Sequence, residues 1–315
     1  MIMYKDKTIA VVMGGPSAEE KISLSTGRAM ASALRNKGYN VKEIRLVPHN
    51  FSEQIKESGA DVVVIAVHGL YGEDGRLQSA LEMMGIPYTG SGVLASAMSM
   101  NKIAAKRVFI GSGIPTPEYM FLYRRDREKQ DMVKAIADRF SLPVVVKPVS
   151  QGSSLGVSIE KEVSGLQKAL DLAFQYDEEV LVEQYIAGQE TSVCMMRKPD
   201  GSVKVWPVIL IKPHAKWYDF NAKYSVGGVD HLVPAPLPEE ITHTLQKISV
   251  DAYEVLGCSG VARTDCIIGE DGKCYVLEMN TVPGMTPTSL VPDAAAAEGT
   301  NFEDLCEMIL ESAHL

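Results

Sequence analysis

Arg263-Thr264-Asp265-Cys266-Ile267-Ile268-Gly269-Glu270-Asp271-Gly272-Lys273-Cys274-Tyr275-Val276-Leu277-Glu278-Met279-Asn280 reads as two apolar strands folded about one tight turn. Asp-Gly is a strong two-residue hairpin signal, because both central residues of that turn need positive φ. With Asp271 and Gly272 central, Asp265 faces Glu278 and Arg263 faces Asn280. Side chains alternate along a strand, so all four project from one face. Two carboxylates ~5 Å apart repel by roughly 3 kcal/mol at an effective dielectric of ~20, and like charges directly opposite destabilise a sheet. A divalent cation reverses that sign. Two acids and an amide oxygen suit Mg²⁺, which keeps waters and substrate phosphates as its remaining ligands. An exposed hairpin with scattered charges is the plainer alternative.

Outward from this hairpin, 315 residues exceed what one core usually serves, so two or three domains are expected. The composition, 46% hydrophobic and 23% charged, is that of a soluble globular protein. A net charge of −9 with no basic stripe argues against a nucleic-acid partner. Five cysteines without CxxC or zinc spacing fit reduced thiols and a cytoplasmic location; Cys266 and Cys274 could face one another across the hairpin, with core packing the plainer use. No apolar run approaches the ~20 residues of a membrane span, and residues 1–7 are too short and charged for a signal peptide.

At the start of the chain, strand Thr8–Met13, Gly14-Gly15, a helix over about 17–37 and strands at Val41–Arg45 and Asp61–Val67 give the βαβ pattern of a parallel sheet. Ligands of such sheets collect at strand carboxyl ends, where Ser17, Glu19, His68 and Gly69 fall. Ser17 and Glu20 read as a capping box, leaving Glu19 for a ligand ammonium. Short strands and helices alternate from Tyr119 to Gln184, and a strand over Val203–Ile211 and a helix over Glu239–Leu256 precede the hairpin. Lys147 ends a buried strand, and Gly152, Ser153, Ser154 and Gly156 follow in a loop able to turn N–H and hydroxyl groups toward phosphate. It is no Walker loop, and no GxGxxG follows the first strand. Trp217–Ser225, aromatic yet polar, suggests a lid. Asn280–Leu290 continues into a Pro/Gly turn whose N–H groups would suit an oxyanion.

In order, the motifs run through Gly14–Glu19, His68–Gln78, Tyr88–Ser91, Lys147–Ser154, Tyr218–Tyr224 and Leu277–Leu290. Together they resemble the D-alanine–D-alanine ligases of the ATP-grasp superfamily, along essentially the whole chain. The resemblance implies an α/β fold of three domains: 1–97 (substrate domain), 98–187 (central) and 188–315 (catalytic). ATP would lie between the last two. It also implies ligation of two D-alanine molecules through a D-alanyl phosphate, for peptidoglycan precursors, by a cytoplasmic homodimer.

Carried over by position, Lys102, Lys147, Ser153, Ser154 and Lys223 would contact ATP phosphates. Glu183, Gln184 and Ile186 would line the adenine slot, and Glu190 would bind ribose. Asp265, Glu278 and Asn280 would hold two Mg²⁺ ions, with Mn²⁺ as an alternative. Glu19 would receive the first D-alanine's ammonium, with His68 near its carboxylate. Arg263 and the Gly284 N–H would stabilise the oxyanion; Ser289 and Leu290 would hold the second D-alanine; Ser153 and Tyr224 would link Glu19 to the mobile loop. No general base for the incoming amine is evident. Asn101, where many relatives have Asp, and Phe220, where Tyr is common, depart from the pattern. Ala222-Lys223-Tyr224 and Leu290 favour D-alanine over D-lactate or D-serine as second substrate. The rival readings are an ATP-grasp ligase of another amine, a silent nucleotide-binding regulator and a dinucleotide-dependent oxidoreductase.

Overall fold

The computed structural model describes residues 4–127, 131–198, 200–213 and 229–315. Thirteen strands in this part of the chain form three sheets. Strands β1 (Thr8–Met13), β2 (Asn40–Arg45) and β3 (Val62–Ile65) make a parallel sheet in the order β2-β1-β3. Strand β1 is buried on both faces, as parallel sheets require. Ile9 and Val11 share one core with Cys194, Trp206 and Leu305, far along the chain. Ala10 and Val12 pack the other way, onto Phe51, Ile55, Leu77 and Leu81. Helix Glu20–Asn36, which covers the first face, packs against helix Phe302–Glu311.

The second sheet, antiparallel, is ordered β4-β7-β5-β6 and consists of β4 (Tyr119–Tyr123), β5 (Val144–Pro148), β6 (Ser158–Glu160) and β7 (Glu179–Gln184). Helices Met132–Arg139 and Val163–Ala173 cover its back, with Ile136, Leu166 and Leu170 at the core. Its other face looks toward the cleft described below.

The third sheet is also antiparallel. Strands β8 (Gly188–Arg197), β9 (Val203–Val205), β10 (Ile209–Pro213), β11 (Val229–Leu232), β12 (Val261–Gly269) and β13 (Cys274–Asn280) run β11-β10-β8-β12-β13, with β9 also on β8. The single strand expected over Val203–Ile211 is thus two, interrupted at Pro207, which has no N–H for the ladder. Helix Glu239–Val255 and helix Lys102–Gly111 pack together on the back of this sheet. Asn101 caps the latter by accepting from the Ala104 N–H at 2.9 Å, a duty Asp would perform equally. All five cysteines are buried thiols. Cys266 pairs with Val276 and Cys274 with Ile268, so the two do not face one another.

Candidate functional site

A cleft of about 870 Å³, open to solvent, lies between the second and third sheets, and its walls come from β5, the loop after it, β8, β12 and β13. Its floor is the hairpin. Arg263 pairs with Asn280 and Asp265 with Glu278, as alternation about the turn requires. The turn itself differs from expectation. Gly269 N–H donates to the Lys273 carbonyl at 2.8 Å, enclosing three residues, and only Gly272 takes positive φ, at 77°. A three-residue turn closing on a left-handed glycine shifts the register by one. A bulge restores it: Asp265 pairs with Glu278 while Cys266 pairs with Val276, leaving Leu277 as the extra residue. Leu277 therefore joins its neighbour Glu278 in lining the cleft.

Arg263, only 6% exposed, grips Asp265 through Nε and Nη2, each at 2.7 Å from a carboxylate oxygen. Burial alone would lower the guanidinium's pKa, but the charge and hydrogen bonds of Asp265, with neighbouring anionic groups such as Glu278, together outweigh it and raise it. Ser192 donates to the same carboxylate at 2.7 Å. Across the ladder, Lys102 lies 3.3 Å from Glu278 and donates to the Gln151 carbonyl at 2.7 Å. Asn280 Oδ1 is buried and accepts no hydrogen bond from the described residues. An orphaned amide oxygen beside two carboxylates is the donor set a hard divalent cation takes. Among the described residues no group of three His, Cys, Asp or Glu side chains could hold a metal ion, so a cation bound here would rest on this mixed set.

The loop after β5 supplies the opposing wall. Ser153 and Ser154 both adopt left-handed backbone, with φ of 52° and 58°. Consecutive residues outside the common regions are costly and cluster where ligands are clamped. Ser153 donates to the Glu19 carboxylate, joining this loop to the first sheet. The junction is tight: a Cβ at Gly152 would stand 2.8 Å from Glu19 Oε2 and one at Gly69 2.7 Å from it, so either would push that carboxylate aside.

The capping box does not form. Helix Glu20–Asn36 starts with no side-chain cap, since Glu20 pairs with Arg45 at 2.6 Å. Ser17 instead accepts from the Glu19 N–H and donates to the His68 carbonyl. His68 is buried and both ring nitrogens have protein partners: Nδ1 is 2.8 Å from the Val282 carbonyl and Nε2 is 2.9 Å from Thr26 Oγ1. A carbonyl only accepts, so the proton sits on Nδ1 and Thr26 donates to Nε2. Thr26 Oγ1 in turn accepts from the Met285 N–H at 3.3 Å. His68 and Thr26 thus hold the 282–285 segment from both ends, and His68 itself does not line the cleft. Ser289 Oγ accepts from the Thr286 N–H and lies 3.0 Å from where a Gly284 Cβ would be. Leu290 lines the cleft nearby.

Lys102, Lys147, Ser153, Ser154, Glu190, Arg263, Asp265, Glu278 and Leu290 come together around this cleft. Glu183, Gln184 and Ile186 do not line it, and neither do Glu19, Asn280, Gly284 and Ser289, which lie beside it. The Glu183 carboxylate is buried between the ammonium groups of Lys106 and Lys147, and the Gln184 amide donates to the carbonyls of residues 141 and 143. The apolar wall is made by Val145, Val157 and Leu277 instead. Val145 was findable, being two residues from Lys147 on one strand; Leu277 was not, because the bulge reverses its side. Lys223, Tyr224, Phe220 and the suggested lid lie outside the described residues.

With that geometry in place, residues 108–311 match the family model described as D-ala D-ala ligase C-terminus, and residues 45–91 the one described as D-ala D-ala ligase N-terminus. The chain is similar to the D-alanine–D-alanine ligase of Geotalea uraniireducens (strain Rf4), 46% identical over 312 residues, 99% of this chain and 97% of the relative. It is 44% identical to that of Geobacter sulfurreducens (strain ATCC 51573 / DSM 12127 / PCA) over 99% of this chain and 95% of the relative. Its fold superposes on the crystal structure of the Bacillus anthracis D-alanine–D-alanine ligase complexed with ATP, with a TM-score of 0.84, 35% identity and 97% coverage of both chains.

Proposed function

The chain belongs to the D-alanine–D-alanine ligase family, and from that premise we propose that it joins two D-alanine molecules at the expense of ATP. The products are D-alanyl-D-alanine, ADP and phosphate, and the dipeptide serves peptidoglycan precursor synthesis. A free carboxylate is a poor acyl donor. Its oxygen attacks the γ-phosphorus, ADP leaves, and the resulting D-alanyl phosphate is attacked at carbon by the second amine. Phosphate departs from the tetrahedral intermediate and carries away the oxygen that came from D-alanine. Such chemistry asks for positioning and charge stabilisation more than for acid–base work.

The observation that carries this reading is the convergence of Lys102, Lys147, Arg263, Asp265 and Glu278 on one cleft, with Glu19 delivered to its rim by Ser153. Lys102, Lys147 and the 153–154 loop would draw in the polyphosphate, with Lys223 added from outside the described residues. Adenine would lie against Val145, Val157 and Leu277, and Glu190 would meet the ribose. Asp265, Glu278 and Asn280 would hold Mg²⁺, which when bound supplies charge neutralisation along the polyphosphate. Its ligands suit it because Asn280 Oδ1 lacks a donor among the described residues. Glu19 would take the first ammonium, Arg263 and the Gly284 N–H the developing oxyanion, and Ser289 and Leu290 the second D-alanine. His68 is reassigned: with both nitrogens engaged it orients the 282–285 segment rather than a substrate carboxylate.

The division at 97 and 187 and a homodimeric, cytoplasmic enzyme are part of the same proposal. The three sheets support the division; none of the described helices is long and apolar enough to cross a membrane. The test is phosphate release from ATP across D-alanine, D-serine and D-lactate, with the product identified by mass. Release that needs D-alanine and yields its dipeptide is expected. Equal turnover with D-lactate would remove the substrate assignment, and release without any amino acid would favour another activity.

A further inference from the structure

Lys106 is a buried cation that the proposed reaction does not use. It sits on helix Lys102–Gly111 with 1% exposure, donates to Thr116 Oγ1 at 2.5 Å and lies 5.6 Å from the Tyr119 ring centroid. Its ammonium contacts Glu183 Oε1, and the Lys147 ammonium contacts Oε2 of the same carboxylate. The three charges are stacked by depth, since Lys147 lines the cleft whereas Lys106 and Glu183 lie behind it. Burial lowers the Lys106 pKa to about 8 despite the Glu183 charge, so keeping a cation here is costly. An apolar side chain of similar volume is often as stable or more so at such a place.

A buried carboxylate needs a partner at all times. Were Lys147 the sole partner of Glu183, turning its ammonium toward a bound anion would strand that charge. With Lys106 behind, Glu183 stays neutralised while Lys147 faces outward. Resting on the ATP-dependent reading above, we infer that Lys106 is a positioning residue for the nucleotide: as resident counter-ion of Glu183, it leaves the cleft-facing Lys147 its charge for the triphosphate. The surplus of one positive charge in this triad is then available to the ligand.

The inference is tested by calorimetric binding of a non-hydrolysable ATP analogue with Mg²⁺, alongside KM for D-alanine. Lys106→Met should weaken nucleotide binding by about tenfold or more, a part of the larger loss that a buried pair suffers when one member is removed, with the D-alanine KM within about twofold. Lys106→Arg should restore most of the affinity. The double variant Lys106→Met/Glu183→Gln should do so too, because nothing then pulls Lys147 inward. It also leaves no lone carboxylate buried and carries the test if Lys106→Met fails to fold. Wild-type affinity in Lys106→Met, or a double variant more than about tenfold weaker than wild type, would overturn the inference. Equal damage to nucleotide and D-alanine parameters would mark a merely structural lysine and overturn it as well. A wild-type protein that binds no nucleotide would instead overturn the proposed function, and this inference with it.

Discussion

Arg263 and Asp265, two residues apart on β12, form a bidentate ion pair on the cleft floor, both contacts at 2.7 Å. The guanidinium fork fits a carboxylate in two parallel hydrogen bonds, so Arg263 is held in place before any substrate arrives. Preorganised charge of this kind incurs no reorganisation cost during the reaction.

Arg263→Ala should therefore lower kcat by a factor on the order of 10²–10³, the loss typical of one oxyanion donor. ATP affinity should change little, since Asp265 keeps Ser192 as a partner. Single-turnover rates and an ATP titration separate the two. A normal kcat would show that the oxyanion is held elsewhere.

Asn280→Ala removes the one amide oxygen in the donor set. The half-saturating Mg²⁺ concentration should rise by about tenfold or more, while folding stability changes little, because Oδ1 accepts nothing from the described residues. Metal titration followed by calorimetry in the presence of ADP reads the first quantity and thermal melting the second. An unchanged titration would exclude Asn280 as a ligand.

Gly152→Ala places a methyl group 2.8 Å from Glu19 Oε2, although Gly152 itself needs no left-handed backbone. The substitution should displace the carboxylate and raise KM for D-alanine by about tenfold, a loss of the size that misplaced positioning groups produce. KM for ATP should move far less. Equal shifts in both would mean that the loop, and not Glu19, has moved.

How much of this was legible beforehand depends on the element. The parity argument about Asp271-Gly272 placed Arg263, Asp265, Glu278 and Asn280 correctly, although the turn is one residue longer than Asp-Gly chemistry suggests. Two one-residue deviations, the longer turn and the bulge at Leu277, cancel at the cleft end of the hairpin. Alternation alone reveals neither, so Leu277 was assigned no role. Ser17 and Glu20 match a capping box by spacing, but Arg45, far along the chain and adjacent in space, claims Glu20. Spacing is local, and such competitors are not. The same holds for His68, whose partners Thr26 and Val282 come from separate segments, and for Lys106, which in sequence is one more basic residue on a basic helix.

The Glu183 site also makes a pH prediction. Burial would raise its pKa, yet Lys106 and Lys147 outweigh that and hold it below the usual carboxylate range. The unfolded chain then binds more protons than the folded one in acid, so the group's stabilisation is present above the unfolded value of about 4.3 and fades as pH falls through the lower folded value. In Glu183→Gln the acid limb of a melting-temperature profile should be shallower than in wild type. An identical limb would assign acid lability to other carboxylates.

The acyl phosphate is the central claim, and isotope transfer tests it most directly. D-Alanine carrying ¹⁸O in its carboxylate, incubated with ATP and Mg²⁺, should yield inorganic phosphate containing one ¹⁸O atom per turnover, with the rest retained in the dipeptide. Phosphate free of label, formed together with the dipeptide, would contradict the account, because the carboxylate oxygen would never have been joined to phosphorus.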